Sequence, residues 1–420
     1  MERSDARINE REAAGISYPR GEAHRAMEVQ FQTGTLLLLI AAVVAILSRR
    51  LRLPYSVGLV AAGIALAVFP FAPHIALTRD LLFTALLPPL LFEAAFHLNS
   101  DQLRRDFAVI SVLATLGVLL SAAVTAAGMH YLLHWQWIGA LVFGVLIAAT
   151  DPVSVVATFR EAKAQGRLLA LIEAESLFND GTAAILFAVV LAIAAGQVLS
   201  PLSITVLLLR SVVGGILCGA VVALAAFLLA GRTNDHLVEI AITTVAAYGS
   251  FLLANRMDVS GVLATITAGL VMGNSRALNT ISGREAVEAF WEYGAFVANS
   301  LVFLLIGMHE ASQNFRSIWL SAVVAIVLVM LGRAAAIYPC CLLFARSRSR
   351  VSQKHQSALF WGGLRGALAL ALALGLPPEI PCREQIISIS FAVVAFSVFV
   401  QGLTITPLLR HLGELPRSKR

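Results

Sequence analysis

Glu173, Glu175, Ser176, Asn179 and Asp180 fall within one short run, EAESLFNDG, which continues TAAILFAVVLAIAAG without another charge. On a helix, Ser176 and Asp180 share one line at i, i+4, while Glu175 and Asn179 share the neighbouring line with Leu171 a turn back. They make a polar stripe on an apolar rod. The Ser176 hydroxyl, the Asp180 carboxylate, a carbonyl freed at a helix break near Thr150 and one or two waters would form an all-oxygen set. Such a set suits a hard cation rather than a soft metal. A lone carboxyl group in an apolar interior resists ionisation, so Asp180 can hold either a proton or a small cation. That is the chemistry of competitive exchange.

The elements that carry this stripe are membrane spans. Of 420 residues, 58% are hydrophobic and 13% charged, against roughly 25% charged in an average soluble domain, and the mean hydropathy is +0.82. A spanning helix needs about 20 largely apolar residues. Thirteen stretches qualify, near 31–48, 55–72, 80–97, 107–129, 135–158, 167–195, 202–230, 236–254, 259–274, 289–308, 316–344, 355–376 and 384–409. An all-α polytopic membrane domain over 31–410 is expected, between a disordered hydrophilic tail at 1–30 and a short tail at 411–420. The tail at 1–30 does not read as a secretory signal.

Lys and Arg accumulate in cytoplasmic loops. With the N-terminus outside, nineteen of them fall on the cytoplasmic side, near 49–52, 104–105, 160–167, 232, 276–284, 346–354 and 410–420. Four face out: Arg79, Arg256, Arg316 and Arg383. This asymmetry predicts a cytoplasmic C-terminus. It also explains the basic pI of 9.4 as a topology signal, with no reason to invoke nucleic acid.

An odd number of spans relates units of six helices, about 31–195 and 236–409, as an inverted repeat, with the stretch near 202–230 as linker. Such repeats are common in secondary transporters, whose sites lie near the midplane on discontinuous helices. Two spans at matching positions are interrupted. The fifth carries AATDPV, where Pro152 removes a backbone donor, and the twelfth carries WGGLRGA, where Gly362, Gly363 and Gly366 loosen the helix. Each break alone reads equally well as an ordinary kink; as a pair they read as crossing broken helices.

Glu93, Asp151, Glu173, Glu175, Asp180, Arg210, Arg333 and Arg365 all lie within spans. A charge at a helix centre costs about 3 kcal/mol on translocon scales, so the set costs on the order of 10 kcal/mol even when discounted for depth and pairing, comparable to a domain's net stability. Arg210 reads more simply as snorkelling at an outer interface. Other features have bland readings. Cys218, Cys340, Cys341 and Cys382 have no metal-type spacing and read as small buried hydrophobes. His130 and His134 stand at i, i+4, but beside Trp135 and Trp137 they read as an interfacial aromatic belt. No HExxH, GxGD or GxxxxGK motif supports a protease or an ATP-driven pump.

The run ATDPVSVVATF on one span, followed by ESLFNDG on the next, with LPPLLFEAAF upstream and GGLRGALALALAL downstream, resembles the cation:proton antiporter-1 family, the prokaryotic relatives of animal sodium/proton exchangers. The resemblance covers about 31–410. It implies that Asp180 is the ion- and proton-carrying carboxylate, that Asn179 holds the site in shape, and that Ser176 and the Thr150 backbone are cation ligands. Asp151 and Glu175 would be carboxylates near the ion, acting partly through water. Glu175 would pair with Arg333, and Arg365 would stand against the half-helix dipole ends with Asp151 as its acidic counterpart. Depth does not choose between the arginines. At 1.5 Å per residue from the cytoplasmic end, Glu175 lies about 12 Å in, Arg333 about 16 Å and Arg365 about 15 Å. Glu93, beside Pro88 and Pro89, is a proton-pathway or gating carboxylate in that reading, or else a structural partner, and Glu173 is a second pathway candidate.

The implied activity is exchange of Na+ or Li+ for H+ across a cell (inner) membrane, with no cofactor beyond the transported ions and no enzymatic step. It would be electroneutral if Asp180 alone changes charge, since relatives with a second aspartate at the asparagine position are electrogenic. A homodimer in membrane lipid is implied as well. K+ as the substrate, a cation channel and a sensor on the same fold are the alternatives. Ala174 stands where bacterial relatives often have Gly, and the short C-terminal segment implies no regulation through a long tail.

Overall fold

The structure, a computed structural model, describes residues 20–51, 53–68, 77–161, 166–197, 200–233, 235–273, 283–311 and 315–415. Every regular element among them is helical, as a chain in lipid requires when its backbone groups must be satisfied within the segment. The helices are α1 (Arg20–Leu51), α2 (Tyr55–Ala67), α3 (Leu81–His97), α4 (Ser100–Leu133), α5 (Trp137–Ala148), α6 (Pro152–Glu161), α7 (Arg167–Ala194), α8 (Pro201–Ala230), α9 (His236–Arg256), α10 (Gly261–Gly273), α11 (Arg284–Ala311), α12 (Phe315–Leu343), α13 (Gln353–Trp361), α14 (Ala367–Leu374) and α15 (Arg383–Leu412). Eight of them are long and apolar enough to cross a membrane, and α2, α3, α5 and α10 are shorter apolar helices.

Local chemistry sets the boundaries. Asn99, Ser200, Asp235 and Ser352 cap α4, α8, α9 and α13, each side chain accepting from a backbone N–H of the first turn, and Pro201 occupies the first position of α8, where its missing donor is harmless. Both expected interruptions are present, α5 and α6 being separate helices and likewise α13 and α14. Three π-helical turns, at Leu81–Leu86 in α3, Leu113–Gly117 in α4 and Ser397–Gln401 in α15, had no sequence signal. Most of the two expected tails, residues 1–19 and 416–420, lies outside the described residues, and the first helix begins at Arg20.

The helices pack in two groups. α4, α5, α6, α7, α12, α13, α14 and α15 pack mainly on one another, whereas α3, α8, α9, α10 and α11, with α2 against α11, form the second group. The second group has its own aromatic centre, where Phe92 of α3 lies 4.5 Å from Trp291 of α11 between ring centroids. Small residues set its closest approach. Gly63 of α2 and Gly307 of α11 face each other so tightly that a Cβ on either would meet the opposite backbone, the small-residue packing typical of membrane helices. The groups meet where α7 touches α8 and α10, where α14 touches α3, and where α15 touches α2 and α11.

Candidate functional site

The two interruptions touch. The Asp151 N–H donates to the Leu364 carbonyl at 2.8 Å. Each break frees backbone groups that need partners, and buried side chains supply them. Arg365, fully buried, donates to the carbonyls of Ala148 (2.6 Å) and Ala149 (3.0 Å), which end α5. Asp151 accepts from the Ser154 N–H (3.3 Å) and hydroxyl (2.6 Å), so it caps the start of α6. The base therefore stands at a C-terminal end and the acid at an N-terminal end, as helix dipoles favour.

The close approach needs glycine on the α13/α14 side. A Cβ at Gly366 would lie 2.1 Å from Asp151 Oδ2, and one at Gly363 would lie 2.5 Å from Arg333 Nε. Side chains also reach two C-terminal carbonyls of α13. Leu359 accepts from Arg333 Nη2 (2.9 Å) and Trp361 from Gln401 Nε2 (3.0 Å). Gln401 is buried in the π-turn of α15; nothing in the sequence marked it.

α7 runs past this crossing and presents the polar stripe to it. Glu175, Ser176, Asn179 and Asp180 are all at most 2% exposed. Glu175 forms a bidentate ion pair with Arg333 of α12, at 2.6 and 3.0 Å. This separates the two arginines that depth left equal, and both Glu175 oxygens are engaged by Arg333 rather than facing the crossing unpaired. Asn179 Nδ2 donates to Thr150 Oγ1 at 3.1 Å, so the Thr150 side chain, beside the role expected of its backbone, locks α7 to the break. Ser176 Oγ, Asn179 Oδ1 and Asp180 Oδ1 are buried and have no hydrogen-bond partner in the protein. Three oxygens within five residues of one helix are thus left without a partner, and the one other unpartnered polar atom among the described residues of the crossing, Arg333 Nε, is a donor.

A small cavity of about 10 Å³ opens on Thr150, Asp151, Asp180 and Gly366, with Leu87, Leu90 and Leu91 of α3 as its opposite wall, close to the room one water-sized body needs. Asp180 also feels charge from Asp151, Glu175 and Arg365. The arrangement can hold a small hard cation or a proton on oxygen and offers no sulfur or imidazole ligand.

The remaining candidates lie elsewhere. Glu93 pairs with His97 on its own helix (3.1 Å), and His97 approaches Glu292 of α11 (3.8 Å). Glu173 is buried on α7. Arg210 donates to the Met257 carbonyl, at the end of α9. His130 stacks on Trp137 at 4.1 Å and bonds the Trp135 carbonyl. Sequence reasoning passed over three buried acids, Asp106, Glu239 and Glu310. Asp106 is held by Arg167, and Glu239 accepts from the Gly283 N–H.

The family model described as "Sodium/hydrogen exchanger, transmembrane" matches residues 37–411. The chain is 37% identical over 377 residues to the low-affinity Na(+)/H(+) antiporter NhaS1 of a Synechocystis species, covering 87% of this chain and 71% of that protein. It is 36% identical over 347 residues to the Na(+)/H(+) antiporter NhaP of Pseudomonas aeruginosa, covering 79% and 81%. Among solved structures, the sodium proton antiporter MjNhaP1 of Methanocaldococcus jannaschii shares the fold with a TM-score of 0.75, at 19% identity, over 93% of this chain and 99% of that one. The crossed breaks, the polar stripe on α7 and the family match agree: the chain belongs to the sodium/hydrogen exchanger family, and is a multi-pass membrane transporter rather than an enzyme.

Proposed function

We propose that the protein exchanges Na+ or Li+ for H+ across the cell membrane, with Asp180 as the site that cation and proton share. The observation that carries this is the unmatched oxygen set of Ser176, Asn179 and Asp180 beside a crossing whose broken helix ends are bonded by Arg365 and Asp151. Charge balance supports a one-for-one exchange. At the crossing the carboxylates of Asp151, Glu175 and Asp180 face the guanidinium groups of Arg333 and Arg365, leaving one negative charge in excess. One monovalent cation or one proton neutralises it, and burying it uncompensated is costly. The empty-handed state is therefore disfavoured in transit, which couples the two ions. Thr150 and Ser176 contribute neutral oxygens, and Asn179 fixes the geometry through Thr150.

The packing into two groups supports a movement of one against the other. The group containing α5, α6, α7, α13 and α14 carries the ion, and the group of α2, α3, α8, α9, α10 and α11 is the frame against which it moves, giving alternating access. In this account the rods make thirteen passes in two inverted units, the N-terminus lies outside, the C-terminus lies in the cytoplasm, and two copies associate through the frame. The test is proton flux in proteoliposomes with an internal pH dye. With an acid interior, external Na+ or Li+ is expected to alkalinise the lumen in the wild type and not in Asp180→Asn. A folded wild type without any cation-dependent signal would overturn the proposal.

A further inference from the structure

Arg167 is the first residue of α7, where a positive charge opposes the helix dipole. Its bonding offsets that opposition. Nε and Nη2 donate to the two oxygens of Asp106 on α4, at 2.9 and 2.6 Å, in the paired fork that guanidinium and carboxylate favour. Nη1 donates to the Arg350 carbonyl (2.9 Å) and Nη2 also to the Ser349 carbonyl (3.0 Å), both in the turn between α12 and α13. Ser349 Oγ in turn reaches the Arg105 carbonyl of α4 at 3.4 Å. Asp106 is 3% exposed, so removing its partner would strand a buried charge.

One side chain thus ties together the cytoplasmic ends of three segments. α7 carries Asp180, about 20 Å further along the helix at 1.5 Å per residue. The Ser349–Arg350 turn leads into α13, whose far end is the break at Gly362–Gly366. α4 packs on both α7 and α12. We propose that Arg167 and Asp106 are positioning residues for transport: they fix the axial register of α7 against α4 and α13, and so set the height of Asp180 relative to the Thr150–Arg365 crossing. An ion-coordinating set tolerates displacements of only a few tenths of an ångström, whereas a helix freed at its end can slide by more. The pair touches neither ion, and it acts through the helix.

The transport arm of the test rests on the exchange reading above, and a second arm does not. Asp106→Asn, Arg167→Gln and Arg167→Lys are reconstituted in proteoliposomes beside the wild type. The account expects the half-saturating Na+ or Li+ concentration to rise about 5- to 20-fold in the first two, with the maximal rate falling less than about threefold. Arg167→Lys, which keeps the charge but not the fork, is expected to lie between them and the wild type. In parallel, hydrogen exchange in detergent micelles is expected to speed up in all three variants at amides 168–176 and 349–354, with α8 to α10 unchanged. Wild-type half-saturation in Asp106→Asn and Arg167→Gln overturns the proposal, as does a loss of maximal rate alone with half-saturation unchanged. If the wild type shows no cation-coupled flux, the exchange reading fails, and the hydrogen-exchange arm still decides: unchanged protection at 168–176 in the variants overturns the pinning, and a confined loss there upholds it.

Discussion

Glu175 and Asp180 sit five residues apart on one buried helix, and their surroundings differ in kind. Both oxygens of Glu175 are held by Arg333, which also bonds the Leu359 carbonyl. Asp180 Oδ1 has no partner in the protein, nor do its neighbours Ser176 Oγ and Asn179 Oδ1. A buried polar group costs free energy unless it is bonded, so the first carboxylate belongs to the architecture and the second is left for something that comes and goes. Matched and unmatched acids on one helix teach where structure ends and transport begins.

The largest effect that could break this contrast comes from Asp180→Asn. The account expects cation-coupled proton flux to fall at least 100-fold while the purified protein keeps its melting temperature within a few degrees, read by flux assay and thermal scan. Next is the structural carboxylate. Glu175→Gln leaves Arg333 buried and unpaired, and is expected to destabilise the protein by about 3–5 kcal/mol. The double variant Glu175→Gln with Arg333→Met is expected to lose less than the two single losses combined, measured as a double-mutant cycle in detergent. If Glu175→Gln were stable and merely slow, the contrast would be wrong.

Gly366→Ala probes the crossing that both acids serve. A methyl group 2.1 Å from Asp151 Oδ2 must push the α6 cap away, and a loss of exchange of at least tenfold is expected with the helices retained by circular dichroism. The smallest effect sharpens the comparison. Ser176→Ala removes one unmatched oxygen without stranding a partner, so it is expected to raise half-saturating Na+ about 5- to 10-fold and to leave stability within about 0.5 kcal/mol.

Much of this was legible in the residues. EAESLFNDG announced a polar stripe on a span, Pro152 and the glycines at 362, 363 and 366 announced the breaks, and the helical period alone placed Ser176 and Asp180 on one line. What stayed hidden was what depends on a third dimension. Arg333 and Arg365 come out at nearly the same depth when residues are counted along their helices, and only the lateral packing gives Glu175 to one and the α5 carbonyls to the other. Thr150 was expected to act through its backbone because the break frees it; that its hydroxyl also meets Asn179 depends on how α7 packs and had no sequence signal. Gln401 sits in a π-turn that no local propensity marks. Asp106 escaped notice because it falls at the edge of the apolar stretch near 107–129. The available hint was a cation, Arg167, opening a helix against its dipole.

The central claim is that one carboxylate carries either ion, and proton release on cation binding tests it most directly. Wild-type protein and Asp180→Asn in weakly buffered detergent solution are titrated with Na+ or Li+ at a pH where the wild-type site is protonated, while a dye reads released protons and an ion-sensitive electrode reads bound cation. The account predicts one proton released for each cation bound in the wild type and none in the variant. Cation binding to the wild type without proton release, or undiminished release in Asp180→Asn, would contradict it.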